Sequence, residues 1–377
     1  MGAVAVMETV DSEYLILGLG VMGAATLYHL AKSGHRVAGL DRFPGPHLRG
    51  SSHGRSRALS LYYGSPYLEL ALAGRQGWQE LEREASRRLF YPSGMIVFDH
   101  AASPALQAAA TALQAQGVDH DLLAPQEVEV RFPHLHAPQD SVACYMPLAG
   151  FIDADLCVQA LLDRALQHGA RVYEPDRVEC IDIGAPKPVA CSRSRAYRAD
   201  TLIVTPGPWA PSLLPDCRFP LQVTRQHTFY FQPRNPSRYG PDDVPVIGDR
   251  QADIYSFPAH GPGIKVAFSS IGPATSPDEK QPDPGDDESR ALQTWLGQTM
   301  PGVGARPLGG SGCFYTMTPD KDFIIGFHPR HQRVVVGAGF SGHGFKFAPV
   351  VGRLLADLAT RGTSDIPLDT FSPLRFH

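Results

Sequence analysis

Three glycines, Gly18, Gly20 and Gly23, and an acid at Asp41 are the first residues in this chain whose types and spacing could do chemistry. The first two glycines let a backbone turn tightly and approach a pyrophosphate, and the third lets a helix pack close against its strand. The helix N-terminus directs backbone N–H groups at phosphate, while an acid about 20 residues on can accept hydrogen bonds from a ribose hydroxyl pair. A second group lies near the other end, in Gly339-Phe340-Ser341-Gly342-His343-Gly344-Phe345-Lys346. A glycine loop feeding a helix N-terminus makes another anion-friendly site. One dinucleotide needs only one pyrophosphate cradle, so the second loop suits the electron-rich end of a reduced flavin.

The elements that must position these groups can be read from the pattern. Tyr14-Leu15-Ile16-Leu17 is a short apolar run leading into the first glycines, and a helix is predicted over 24–32, with Gly34 as its C′ residue. The run 36–40 then ends at Asp41, giving strand, glycine turn, helix, strand and acid in the order of a βαβ dinucleotide site. That order does not choose between NAD and FAD. Tyr67, Leu70, Gly74, Trp78 and Leu81 recur at helical spacing, and further helices are predicted over 105–116 and 156–168. Strands are predicted over 170–173, 177–182 and 201–204, the last running into a turn at Pro206-Gly207-Pro208-Trp209. From about 221 to 268 the pattern turns β-rich, with strands at 228–231, 254–257 and 264–268 between Pro/Asp-rich loops at 233–245 and 273–287. Strands at 323–326 and 333–337 and a helix carrying Val350, Val351, Leu354, Leu355 and Leu358 on one face return to the first style. The expectation is an α/β fold, a Rossmann-like nucleotide-binding domain interrupted by a β-rich second domain.

Composition narrows the class. With 377 residues, 43% hydrophobic and 19% charged, the chain reads as a globular enzyme too long for one comfortable core. A formal charge of −4 offers no surface for nucleic acid or an anionic membrane. No apolar run approaches the roughly 20 residues that span a bilayer. The start carries Glu8 and Asp11 and no basic segment, and Val6 stands where a myristoylation signal has Ser or Thr. The six cysteines (Cys144, Cys157, Cys180, Cys191, Cys217 and Cys313) form no CxxC pair, so neither a zinc ribbon nor a disulfide framework is expected, and no metal ligands are assigned. Cytoplasm is the expected compartment.

Four segments carry a specific resemblance: Gly18 to Gly23, Gly50-Ser51-Ser52-His53-Gly54, Cys313-Phe314-Tyr315-Thr316, and Gly339 through Phe347. From Tyr14 to about Pro373 the chain resembles the monomeric sarcosine oxidase and N-methyltryptophan oxidase family, within the D-amino-acid-oxidase-like flavoproteins. The resemblance implies a glutathione-reductase-type FAD-binding domain over 11–90, 150–220 and 320–377 and a substrate domain over 91–149 and 221–319. It implies FAD attached through a thioether to Cys313, where a thiolate is the nucleophile and cations such as His53 and Arg57 stabilise the negative charge formed. Besides the glycines and Asp41, it places Ser51, Ser52, Val178, Gly207, Gly342, Gly344, Phe345 and Lys346 around the cofactor. Lys265 matches a lysine that promotes oxygen reduction, because a fixed positive charge in a dry site stabilises superoxide. Lys346 matches a holder of the substrate carboxylate, and Tyr255 and Tyr315 match the substrate pocket; packing with satisfied hydroxyls accounts for either tyrosine nearly as well. His343 serves equally well as a stabiliser of its loop.

Two residues depart from the sarcosine-using members, which have an arginine where this chain has Ser60 and a histidine where it has Ser269. The lost arginine would have clamped the carboxylate together with Lys346. The implied activity is therefore oxidation of a secondary amine or an N-substituted or cyclic amino acid to an imine, by a monomer reducing oxygen to hydrogen peroxide, with sarcosine itself an unsafe assignment. A dehydrogenase with another electron acceptor, or a catalytically silent flavoprotein, would share the fold.

Overall fold

The structure is a computed structural model and describes residues 8–269, 272–280 and 283–377, with the side chain of Ala305 left aside. The expectations that fall on residues 1–7, including Val6, and on parts of the 273–287 loop lie outside these residues.

The first of two large sheets is built around five parallel strands. The strand Glu8–Leu17 runs beside Val37–Leu40 on one side and Arg195–Val204 on the other. Arg171–Tyr173 and His331–Ala338 extend the parallel array at either end. Leu15, Ile16, Leu202, Ile203 and Val335 have no exposure, as strands covered on both faces require. Arg195–Val204 is long enough to share one edge between two neighbours: its first half pairs antiparallel with Val189–Cys191, its second half parallel with His331–Ala338. Cys180–Asp182 and Ile324–His328 complete the sheet. The helix Val21–Lys32 packs between Ala154–Gln167 and Ala348–Arg361, and the approach is close enough that a Cβ on Gly352 would lie 2.6 Å from that of Ala25.

The second sheet runs in the spatial order Val303–Met317, Gln222–Pro233, Ile264–Phe268, Ile254–Phe257, Val246–Asp249, Met95–Asp99, Val142–Met146 and Asp121–Leu123. All its pairings are antiparallel except that of Val246–Asp249 with Met95–Asp99. The helix Asp286–Thr299 buries Leu292, Trp295 and Leu296 in the core formed with this sheet. No helix among the described residues is long and apolar enough to cross a membrane.

The expected α/β class stands, with two adjustments. The run 177–182 is strand only over Cys180–Asp182. The C-terminal glycine loop does not enter its helix directly. A 3-10 turn, Phe345–Phe347, comes first, and the α-helix starts at Ala348 with Pro349 behind it, a residue whose fixed φ and missing N–H suit a first turn.

Candidate active site

At the C-terminal end of Glu8–Leu17 the chain turns through Gly18 at φ +90°, where an added Cβ would lie 2.4 Å from the Thr205 carbonyl oxygen. A Cβ on Gly23 would lie 1.9 Å from the Gly18 oxygen, so only glycine lets this helix sit against this strand. The Val21 N–H donates to Ser52 Oγ at 3.0 Å, and Gly20 faces the same hydroxyl. Asp41 accepts the Leu19 N–H on Oδ2 at 2.7 Å and the Phe43 N–H on Oδ1 at 3.0 Å, so it braces the turn that it follows. Oδ1 also faces His47 Nε2 at 3.4 Å, while Oδ2 retains a second lone-pair site for a ribose hydroxyl. Ser51, Val178 and Gly207 line the same cavity, and Ser51 Oγ donates to the Phe314 carbonyl at 2.5 Å, tying the cradle to the strand that carries Cys313.

Arg57, Lys265 and Cys313 share one wall of that cavity. Arg57 donates to the carbonyls of Ser51 and His53 at 2.9 and 2.6 Å, which fixes its guanidinium over the glycine-rich loop. Lys265 is buried, donates to the Ser56 carbonyl at 2.7 Å and stands 4.2 Å from the Phe257 ring centroid. Burial, and then the charge of Arg57, pull the Lys265 ammonium well below its ordinary pKa. An entering anion reverses that balance, since a nearby opposite charge favours the charged form. Cys313 is pushed up by burial and only partly relieved by Arg57 and Lys265, so it rests as a thiol.

His53 departs from expectation. Burial, and then Arg57, push its imidazole down to about 4, so it is neutral at pH 7 and supplies no cation. It does not line the cavity, and its buried Nε2 has no protein partner. The guanidinium near Cys313 is that of Arg57, and Lys265 stands beside it as a group whose charged form an entering anion would favour.

The C-terminal loop delivers Lys346. Its Nζ donates to Tyr63 Oη at 2.9 Å and to the His343 carbonyl at 2.7 Å, both uncharged, and burial lowers its pKa to about 7. The helix Tyr67–Ala85 holds this lysine from behind: Trp78 Nε1 donates to the Lys346 carbonyl at 2.9 Å, Phe345 stacks on Trp78, and a Cβ on Gly74 would lie 2.5 Å from that same carbonyl oxygen. Gly342, at φ +80°, presses on the Tyr315 ring, where a Cβ would lie 2.6 Å away. Gly344 and Phe345 also line the cavity. Tyr315 and Tyr255 line the cavity as neighbours, and burial pushes Tyr255 up to about 12 and Tyr315 well above its ordinary value, so both are neutral. His343 contacts the Lys321 carbonyl at 3.1 Å through Nε2 and is pushed down to about 3 by burial, which fits a loop-holding role.

Sequence reasoning missed Tyr63, Trp78 and Arg250 as parts of this site. Arg250 lines the cavity with Ser60 and Ser269, and its Nε pairs with Asp99 Oδ2 at 2.8 Å. Tyr62 Oη donates to the same carboxylate oxygen at 2.9 Å. No motif marks these residues, and only the fold brings 62, 99 and 250 together. Elsewhere, Asp216, His328 and His331 place three possible metal-ligand atoms within 4.8 Å of one another. The Arg330 guanidinium already donates to Asp216 at 2.7 Å and the Arg330 N–H to His328 Nδ1 at 3.2 Å, so this cluster satisfies itself in large part.

The cavity has a volume of about 1250 Å³, above the usual range of about 300–1,000 Å³ for a small-molecule site. A glycine cradle at a helix N-terminus, an acid at the end of the second strand and a buried cationic wall suit a bound dinucleotide, and they define a dinucleotide-dependent oxidoreductase. The chain belongs to the family of FAD dependent oxidoreductases, which it matches over residues 13–358. Monomeric sarcosine oxidase of Streptomyces avermitilis is 35% identical over 96% of this chain and 97% of its own. N-methyl-L-tryptophan oxidase of Yersinia pestis is 28% identical over 97% and 100%. Among solved structures, NikD, an amino acid oxidase of nikkomycin biosynthesis, superposes with a TM-score of 0.83 at 23% identity, covering 96% of this chain and 97% of that one. Glycine oxidase of Geobacillus kaustophilus gives 0.81 at 22%, covering 96% and 98%. The protein is an FAD-dependent oxidoreductase of the sarcosine oxidase and N-methyltryptophan oxidase type.

Proposed function

We propose that the enzyme oxidises the C–N bond of a secondary amine, or of an N-substituted or cyclic amino acid, to an imine, with oxygen reduced to hydrogen peroxide. The observation that carries this reading is Lys346: a buried ammonium with only uncharged partners, lining the same cavity as the glycine cradle and Cys313. The named activities of the curated relatives support it. FAD, held by Gly18, Gly20, Gly23, Asp41, Ser51 and Ser52, supplies the acceptor for the electrons of the carbon beside nitrogen. Lys346 pairs with the substrate carboxylate, Tyr255 and Tyr315 stay protonated and orient the amine, and the surrounding aromatic residues exclude water. Lys265, whose charged form is favoured once negative charge develops beside it, stabilises oxygen as it gains electrons, which favours an oxidase over a dehydrogenase. Cys313 is the proposed point of covalent attachment.

The domain division proposed is cofactor binding by 11–90, 150–220 and 320–377 and substrate binding by 91–149 and 221–319, in a cytoplasmic monomer. Sarcosine is the poorer substrate in this reading. Ser60 is short, buried and accepts the Tyr62 N–H at 3.1 Å, so position 60 gives Lys346 no planar fork to fix a small carboxylate, and the Arg250 guanidinium in the same cavity is paired with Asp99. Loss of one charge-assisted hydrogen bond costs about 1.5–3 kcal/mol, roughly tenfold to a hundredfold in binding. Anaerobic titration of the flavoprotein with secondary amines, cyclic imino acids and N-methyl amino acids tests the proposal. Bleaching of the flavin by the bulkier members, and peroxide release on admitting air, are expected; Ser60→Arg then shifts kcat/KM towards small amino-acid carboxylates. No bleaching by any member defeats the proposal, and efficient sarcosine turnover above every bulkier amine defeats its substrate clause.

A further inference from the structure

We propose that Cys180 and Cys191 form a reversible dithiol–disulfide pair, oxidised by hydrogen peroxide, on the hairpin beside the cofactor cavity. The two residues stand directly opposite each other in the antiparallel pairing of Cys180–Asp182 with Val189–Cys191. Directly opposed residues share one face of a sheet, with Cα atoms about 4.5–5.5 Å apart. That separation falls within the roughly 4.4–6.8 Å that a disulfide spans. Burial, and then the neighbouring Cys180 thiol, raise the Cys191 pKa, as the closeness of the two side chains requires. Cys180 is exposed and Cys191 partly so, whereas Cys144, Cys157 and Cys217 are buried. Peroxide therefore reaches this pair from solvent with a partner sulfur in place.

The location gives the pair a consequence. The hairpin leads directly from Arg177, Val178 and Glu179, which line the cavity together with Arg193. Glu179 and Arg193 bracket the cysteines as an ion pair at 2.7 Å, and the Glu179 N–H donates to the Cys191 carbonyl at 2.8 Å. A covalent link between 180 and 191 fixes the register of this edge strand against its neighbour.

The chemistry balances. Cys180 Sγ, as thiolate, takes one peroxide oxygen; the O–O bond breaks, and the other oxygen leaves as hydroxide and is protonated to water. Cys191 Sγ then attacks the resulting sulfenic acid, the S–S bond forms, the S–O bond breaks, and a second water leaves with the Cys191 proton. The sulfurs lose two electrons and peroxide gains them. The inference rests on the proposed oxidase reaction for its internal source of peroxide, though not for the site itself. In a reducing compartment an exposed disulfide of this kind is one that cellular thiols reopen.

The test treats the purified flavoprotein with added hydrogen peroxide, so that it does not depend on any amine being turned over. Non-reducing digestion and mass spectrometry should show the 180 and 191 peptides joined, with two hydrogens lost from the intact mass and both restored by dithiothreitol. Cys180→Ser and Cys191→Ser should each abolish the linked peptide. In Cys191→Ser, dimedone should trap sulfenic acid on Cys180. Peptides that remain separate after peroxide in the unmodified protein, or a disulfide between two chains, overturn the proposal. Turnover of an amine panel without any linked peptide during catalysis, while added peroxide does link them, removes the internal source and leaves the site standing.

Discussion

Lys346 is an ammonium kept near its titration point by burial, with a pKa lowered to about 7, and this gives it a measurable signature. The charged form is present below that pH and lost above it, so a carboxylate binds the free enzyme well on the acid side only. Binding of propionate, followed by perturbation of the flavin spectrum, should weaken about tenfold per pH unit above 7 and level off below it. Lys346→Met should bind weakly and without that slope; a pH-independent Kd in the parent protein shows that Lys346 is not the anchor. Lys265 has its own signature. Lys265→Met keeps the stem and removes the charge, and a lost stabiliser of developing negative charge costs about 2.7–4 kcal/mol, a hundredfold to a thousandfold in rate. Stopped-flow reoxidation by oxygen should slow to that extent while anaerobic reduction by amine changes much less. Equal effects on both half-reactions would assign Lys265 to the substrate instead.

At the scale of elements, Lys346 is placed by the helix Tyr67–Ala85, through the Trp78 indole N–H and the cleft left by Gly74. Trp78→Phe leaves the buried Lys346 carbonyl without that donor, a loss worth about 1–3 kcal/mol. A lower thermal midpoint and weaker propionate binding, with FAD content unchanged, are the expected results; unaltered propionate binding means that the loop is held by other contacts. The sequence showed this helix by its apolar spacing but not its task, because a hydrogen bond from 78 to 346 leaves no local pattern. The βαβ unit was legible because strand, glycines, helix and acid lie within about 30 residues of one another. The strand Val303–Met317 was not. Gly304, Gly309, Gly310 and Gly312, with Pro307, give it a loop's composition, since glycine and proline are depleted in strands. Part of the reason for those glycines is proximity: a Cβ on Gly310 would lie 2.7 Å from the Thr228 carbonyl oxygen. Likewise, His53 reads as a cation in its motif, and only its burial shows that it is neutral.

For the whole molecule, the cavity is lined by both sheets, so a bound cofactor and the native fold stabilise each other. Cys313→Ala should release its flavin into the supernatant on acid precipitation, whereas the parent protein, if covalently loaded, keeps yellow colour in the pellet. The variant also allows the linkage to be measured. Free FAD at a hundred times its Kd should add about 2.7 kcal/mol of stability, seen as a thermal midpoint that climbs with FAD concentration. Flavin wholly extractable from the parent protein rules out the covalent bond, and a midpoint indifferent to FAD rules out this cavity as the site.

The parallel core of the first sheet has a consequence for how the chain is made. The glycine cradle emerges from the ribosome early, at Gly18, but the strand that pairs with Leu202, Ile203 and Val204, His331–Ala338, is among the last elements to follow. From Val204 to His331 the gap is roughly 130 residues, or about 6–25 s of synthesis at roughly 5–20 residues per second. Through that interval the edge of Arg195–Val204 has no parallel partner, and its unpaired N–H and C=O groups are open to other chains. A nascent chain halted before His331 should therefore aggregate on release, where the finished chain closes that edge with its own C-terminal strand.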